Sequence, residues 1–553
     1  MRLLHFLSVL AITMLGVSCQ NKKANSDSVH DTSGLDSVAL GAISESSYKK
    51  YVEELSSDAF EGRKPFTKGD TLAVTYIEEQ FKQLGLAPGN GDSFFQEVPM
   101  VEISSTAPSQ LTLTGASGKL TINNLADYVI GSRQLKENID VDQSELVFAG
   151  FGIIAPEYNW NDYDGLNVKG KTVVVMVNDP GRYDKTLFKG DTMTYYGRWT
   201  YKYEEAARQG AAGVLIIHDK GAASYDWDVV RSGWSGSQLD LVSKDKGESY
   251  TAYEGWISAE TTKKLFALSG IQEDLIAQAK KPGFKPRSLG ITTDVRIKNR
   301  YRTSTSNNVI AKLEGSTRKD EVIIYTAHWD HLGIGEPVDG DSIYNGAIDN
   351  AAGVAALFEI AKAFKAAKVQ PERTIVFMAV TAEEQGLLGS AYYAANPIYP
   401  LKKTVANLNM DAFSPMGATK DVSIVGMGHS ELDEYAARSA AKFGREVHDS
   451  GNPSSGGFFR SDHFNFVKKG VPALFMGSGD QYLETDTTVL QNRKKLLSGR
   501  YHAPSDEVDP HWDFNGIIAD IKLFFDMGYT MSLEATYPKW KDKSEFRHVG
   551  SKR

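Results

Sequence analysis

Five short segments of the 553-residue chain place histidine or carboxylate side chains where they could act together: Ala327-His328-Trp329-Asp330, Gly346-Ala347-Ile348-Asp349-Asn350, Thr381-Ala382-Glu383-Glu384, Asn409-Met410-Asp411 and Tyr501-His502. Taken singly, each has an ordinary explanation. A histidine after a strand is usually satisfied by its surroundings, an acidic pair at a helix start complements the helix dipole, and Asp before Asn in a glycine-rich turn caps a helix. Gathered at one edge of a sheet, however, this many carboxylates cannot remain ionised without cations among them. Two histidines and three or four carboxylates, with no thiol available, suit a pair of borderline-hard divalent ions, zinc first. Two ions about 3.5–4 Å apart need a ligand that touches both, and a carboxylate is the usual one.

The elements that must position these groups are legible as alternating strands and helices beyond Asn308. Strands are expected at 322–326, 374–381, 405–410, 422–425 and 473–476, and helices at 350–367, 383–396, 431–443 and 514–533. Apolar strands alternating with helices predict an α/β fold with a doubly covered, mixed and mainly parallel sheet, whose ligands bind beyond the carboxyl ends of the strands. Before this comes a helical stretch from Ser47 to Leu84, ended by Gly85. From about residue 97 to 300 the texture changes to short β-rich runs, such as 110–114, 145–148 and 171–177, with a helix at 203–209 leading to a strand at 214–217. That stretch predicts a small mixed module of its own.

Composition limits the partners. Charged residues make up 24% and apolar residues 41%, enough for a large core, and the net charge of -9 leaves no basic excess for a phosphate backbone, so nucleic acid is not an expected partner. The only cysteine is Cys19, which excludes an internal disulfide. It follows Arg2 and an apolar run from Leu3 to Val17, too short to span a bilayer and shaped like an export signal. The stretch Leu15-Gly16-Val17-Ser18-Cys19 resembles a loose bacterial lipobox. The expectation is a lipoprotein signal over 1–19, a flexible tether over 20–43, and a protein held at the cell envelope by a lipid on Cys19, facing the periplasm.

With the motifs quoted in order, the chain resembles the zinc exopeptidases of bacterial leucyl aminopeptidase, aminopeptidase Y and the glutamate carboxypeptidases. The motifs are His328-x-Asp330, Gly346-Ala347-x-Asp349-Asn350-Ala351-x-Gly353, Glu383-Glu384-x-Gly386-Leu387-x-Gly389-Ser390, Asn409-x-Asp411 and Tyr501-His502. The resemblance implies one zinc on His328, Asp349 and Asp411 and a second on Asp349, Glu384 and His502, with Asp349 as the bridge and a cis peptide after it. It makes Glu383 the general base, gives Asp330 the other ring N–H of His328, and offers Tyr501 as a donor to the developing oxyanion. Arg460, Ser461, Asp462, His463 and Phe464 resemble the family stretch that lines the substrate pocket. His331 is expected to be a neighbour of the site or to face solvent, and Glu336, Asp339 and Asp341 to be a solvated acidic loop.

Residues 44–100 and 301–540 are then the two parts of the peptidase, and 541–553 a tail. Between them, residues 101–300 resemble a protease-associated domain through Ala149-Gly150-Phe151-Gly152-Ile153, Val168-Lys169-Gly170-Lys171 and Gly210-Ala211-Ala212-Gly213. The expected activity is removal of amino-terminal residues from peptide substrates. A terminal carboxylate would call for paired arginines, and near the motifs only Arg460, Arg198 and Arg500 stand out. A carboxypeptidase or dipeptidase on the same site, and a receptor that has kept the fold, are the alternatives.

Overall fold

The sheet behind the five segments runs, in spatial order, from the end of a long strand Arg287–Leu313 through Arg373–Val380, Arg318–His328, Thr404–Asn409, Ala473–Ser478, Asp421–Ile424 and Glu446–Asp449. The computed structural model describes residues 34–551; Cys19, the signal segment and the tether up to residue 33 lie outside them. Strands Arg373–Val380, Arg318–His328, Thr404–Asn409 and Ala473–Ser478 are parallel, while the long strand joins antiparallel. Every residue of Arg373–Val380 and Thr404–Asn409 is buried, as a parallel sheet covered on both faces demands. Along the central strand Ile323, Tyr325 and Ala327 pack with the helices Ala352–Ala366 and Asn515–Leu533, and Val322 and Ile324 pack on the other side with Tyr393, Phe464 and Phe466. The two-residue period of the strand thus feeds two cores.

The expected strands and long helices are present with ends shifted by a few residues, apart from one segment. Residues 383–387 are not helical, and the helix begins at Leu388. Ala382 and Leu387 have φ of 54° and 62° and Gly386 has 114°, so this stretch turns back instead of winding, which leaves Glu383 and Glu384 on a turn.

Residues 37–42, expected to be tether, form a helix. Asp36 caps it by accepting from the N–H groups of Val38 and Ala39, and its other oxygen accepts from Lys368 N at 2.7 Å. Ala39 and Ile43 enter the main core, so the apolar side chains here outweigh the polar composition that suggests a linker. The C-terminal stretch is likewise packed: Phe546 is buried, and Lys541 Nζ lies 2.7 Å from Asp433.

The middle module has two apolar clusters of its own, with parallel strands Asn138–Phe148, Thr172–Met176, Gly213–Ile217 and Tyr253–Ile257. Its helix is Trp199–Arg208, starting earlier than the sequence suggests. Residues 100 and 300 both fall inside strands. The 27-residue strand Arg287–Leu313 pairs with Asn138–Phe148, then with Phe95–Thr106, and finally with Arg373–Val380. One continuous ladder therefore runs from the module into the peptidase sheet.

Candidate metal centre

Three neighbouring parallel strands deliver the first groups. His328 is the last residue of its strand, Asp411 lies two residues beyond Asn409, and Glu383 and Glu384 sit on the turn that follows Val380. Asp349 comes from a distorted π-helical turn, Ala347–Ala351, that leads into helix Ala352–Ala366, and the peptide after it is cis, as the resemblance implies. His502 comes from the loop between helices Thr487–Leu497 and Asn515–Leu533, with φ of 54°.

His328 Nε2 lies 3.1 Å from Asp349 Oδ1 and 3.3 Å from Asp411 Oδ1, and 3.9 Å from Glu383 Oε2. On the other side of Asp349, His502 Nε2 lies 3.3 Å from its Oδ2 and 3.1 Å from Glu384 Oε2. His328, Asp349 and Asp411 form one cluster of possible metal ligands within 4.8 Å of one another, and a second cluster is formed by Asp349, Glu384 and His331. The two histidines near Glu384 differ in one respect. His331 Nδ1 is hydrogen-bonded to Glu384 Oε1 at 2.7 Å, whereas His502 Nε2 is buried without a hydrogen bond of sound geometry. A buried nitrogen that approaches two carboxylates and bonds to neither is placed for a cation shared with them, so the residues present fit an ion on each side of Asp349.

The surroundings hold these groups in place. Asp330 does not take the role expected of it: His328 Nδ1 is 3.1 Å from the Asp330 backbone carbonyl and 3.8 Å from its carboxylate. That carboxylate instead accepts from the backbone N–H groups of Glu383 and Glu384, at 3.0 and 3.3 Å. It therefore fixes the turn, while the carbonyl orients the ring. Asn350 ties the Asp349 loop to the Asp411 strand end by donating to Met410 O and accepting from Ala412 N. Asp506 accepts from the N–H groups of Ile348 and Asp349. Buried Arg63 donates to the carbonyls of Leu55, Trp329, Asn345 and Gly346. Neither Asp506 nor Arg63 stands out in the sequence, because neither sits in a motif; burial of a charge is the signal, and only the fold reveals it.

Burial by itself would raise Asp349, but the close imidazoles of His328 and His502 hold it well below the usual carboxylate range. Burial likewise opposes the shift at Glu384, which His331 and His502 hold at about 2, and at His502, which the same carboxylates push up to about 10. Glu383 is raised well above its ordinary value, first by burial and then by Asp411 and Glu384, despite His328. Asp330 rises to about 7, mainly through burial.

Residues 308–525 match the model of Peptidase family M28. A mouse protein named aminopeptidase NAALADL1 is 33% identical over 138 residues, which is 24% of this chain and 17% of that one. A probable zinc metalloprotease of Pyrenophora tritici-repentis is 39% identical over 104 residues, 19% of this chain and 20% of its own length. The chain thus spans about a fifth of the length of these curated relatives. Among solved structures, an aminopeptidase from Aneurinibacillus sp. strain AM-1 covers 89% of this chain and 95% of its own, with a TM-score of 0.50 at 19% identity, and shares the fold.

The remaining expected residues divide sharply. Tyr501 is 74% exposed, and its ring stacks on His502 with centroids 3.9 Å apart. Arg460 is exposed and donates to Ser455 O. Ser461 does not line an open pocket; its hydroxyl donates to Asp411 Oδ2 at 2.6 Å and accepts from Asn409. Asp462, His463 and Phe464 are buried at the start of helix His463–Val467, with Asp462 bonded to Ser390. Phe464 and Phe466 pack into the apolar cluster on one face of the sheet. His331, expected to be a neighbour of the site or to face solvent, is a neighbour: it is fully buried against Glu384. Glu336, Asp339 and Asp341 lie on an exposed hairpin, Gly333–Val338 with Asp341–Tyr344, as a solvated acidic loop would.

Proposed function

We propose that this chain is a two-zinc aminopeptidase that hydrolyses the first peptide bond of peptides with a free amino terminus. The observation that carries this reading is the placement of Asp349, whose two oxygens face opposite histidines, Oδ1 towards His328 and Oδ2 towards His502. His328, Asp349 and Asp411 would hold one ion, and Asp349, Glu384 and His502 the other. When bound, the ions would supply Lewis acidity and a more acidic water. Glu383, close to the His328 side of the site, takes the proton from the attacking water and returns it to the leaving amine; its high proton affinity suits a group that must carry that proton. Tyr501, beside His502 and open to solvent, would donate to the oxyanion. The negative site formed by Glu383, Glu384 and Asp411 would receive the substrate's ammonium group. The mouse relative is named an aminopeptidase and the fungal one a probable zinc metalloprotease, which supports peptidase activity with zinc. The test is to measure zinc per chain and to compare an aminoacyl substrate with its N-acetyl form. Two zinc ions and cleavage of the free amine alone are expected; equal cleavage of both would overturn amino-terminal specificity.

One observation favours a second reading, a dipeptidase that anchors the far carboxylate. Arg198, from the middle module, and Arg460 flank the same turn: a Cβ at Gly456 would lie 3.4 Å from Arg198 Cδ, and Arg460 bonds the preceding carbonyl, Ser455 O. Arg198 Nε is buried and without a hydrogen bond. Amidation of a dipeptide's carboxyl terminus should then slow cleavage, and Arg460→Ala should remove the difference. Indifference to amidation would dismiss this reading. We further propose export and lipid attachment at Cys19, testable by metabolic labelling with a fatty acid, which Cys19→Ser should abolish; the middle module, 101–300, is proposed as a protease-associated domain.

A further inference from the structure

His331 is wedged between the two halves of the second metal cluster. Its ring is fully buried, and Nδ1 lies 2.7 Å from Glu384 Oε1. The opposite edge packs on the loop that carries Asp349: Gly346, with φ of 58°, comes so close that a Cβ there would lie 2.6 Å from the imidazole Cγ and 2.3 Å from Asp349 O. The His331 backbone N–H points at Arg63 O, 3.4 Å away, and the Arg63 side chain bonds the carbonyls of Asn345 and Gly346 in the same loop. Nε2 has no partner among the described residues. An N–H on Nδ1 pairs with Glu384, whereas an N–H at buried Nε2 would be left unpaired. His502 reaches the other oxygen of Glu384.

Resting on the two-ion reading, we infer that His331 is a positioning residue for the second ion: it occupies Glu384 Oε1, leaves Oε2 alone to the metal, and fixes the spacing between Glu384 and the Asp349 loop. Among the described residues no hydrogen bond or ion pair joins His331 to His328 or Asp411, so the loss of its N–H, with the ring's volume kept, acts through Glu384 on the second ion. Hydrogen-bond partners behind a ligand characteristically change metal affinity by about 10–100-fold. Leucine fills a similar volume without the N–H, whereas the amide of asparagine places an N–H where Nδ1 stands.

The test strips the full chain of metal with a chelator and reloads it in zinc-buffered solutions, reading ions bound per chain without reference to turnover. Wild type should take up two. His331→Leu should keep the first ion and bind the second about 10–100-fold more weakly, and His331→Asn should restore the second. The retained first ion reports that the variant is folded. Loss of both ions in His331→Leu, or equal losses in the leucine and asparagine variants, would overturn the inference, because the ring would then be a filler. Cobalt in the second site should absorb alike in wild type and His331→Asn; an altered spectrum would make His331 a ligand and also overturn it. If wild type holds two ions and His331→Leu binds both unchanged, this inference alone falls. If wild type holds fewer than two, the two-ion reading falls first.

Discussion

Glu383 combines a buried carboxyl, raised well above its ordinary value, with a position beside the His328 cluster and outside the ligand set proposed for either ion. Glu383→Gln keeps the shape and removes only proton transfer, so zinc content should stay unchanged while kcat falls roughly 10²–10⁴-fold. Metal analysis and steady-state rates on one preparation check this, and near-normal turnover would remove Glu383 from its role. A second consequence lies with His502. In the metal-free chain its proton is held up to about pH 10, so an ion arriving at pH 7 must displace it. Metal binding should therefore release protons at pH 7, and affinity should rise with pH until the ring is already neutral. Calorimetry in two buffers of different ionisation heat reads the proton count; no release would contradict His502 as a ligand.

The elements decide how tightly these groups are held. The π-helical turn that carries Asp349 is broken by non-helical dihedrals at Asp349 and Asn350, and it is held by Asp506 accepting from Ile348 and Asp349 and by Arg63 gripping the carbonyls before them. Asp506→Ala leaves buried backbone N–H groups unpaired, each costing about 1–3 kcal/mol. Urea unfolding should show a loss of this size, and the variant should bind zinc more weakly at both clusters, since Asp349 belongs to both. Strand ends are the stiffer supports. His328 and Asp411 extend directly from buried parallel strands, which is why the groups beyond them need fewer loop contacts.

Across the molecule, the long strand Arg287–Leu313 makes the module and the peptidase sheet one hydrogen-bonded ladder. Near their contact the aromatic cluster around Phe458 encloses His429 and His463, both lowered by burial to about 3. Their folded values lie below the unfolded value near 6.5. The stability they provide is thus complete above pH 6.5 and is lost as pH falls from there towards 3. At pH 5 each should cost about 2 kcal/mol relative to pH 7. Urea midpoints at the two pH values should differ accordingly, and less so in His463→Gln. An unchanged midpoint would show that these rings are protonated in the folded protein.

The sequence by itself determined the α/β alternation and the groups at the strand ends. Strands covered on both faces must read as apolar runs, and whatever follows them is aimed at one edge, so His328, Glu384 and Asp411 could be placed together before any coordinates. It also marked Asp349 and His502 through their motifs. Contacts between segments far apart in the chain were decided only by the tertiary structure: His331 on Glu384, Asp330 on the Glu383 turn, Asp506 behind Asp349, and Arg198 brought to Arg460. Local patterning carries no record of such pairings, because they depend on sheet register and on loop paths set by packing. The same reason explains why the 27-residue strand was not foreseen. Its exposed, polar middle, from Arg300 to Thr305, resembles a linker until Phe95–Thr106 is laid beside it.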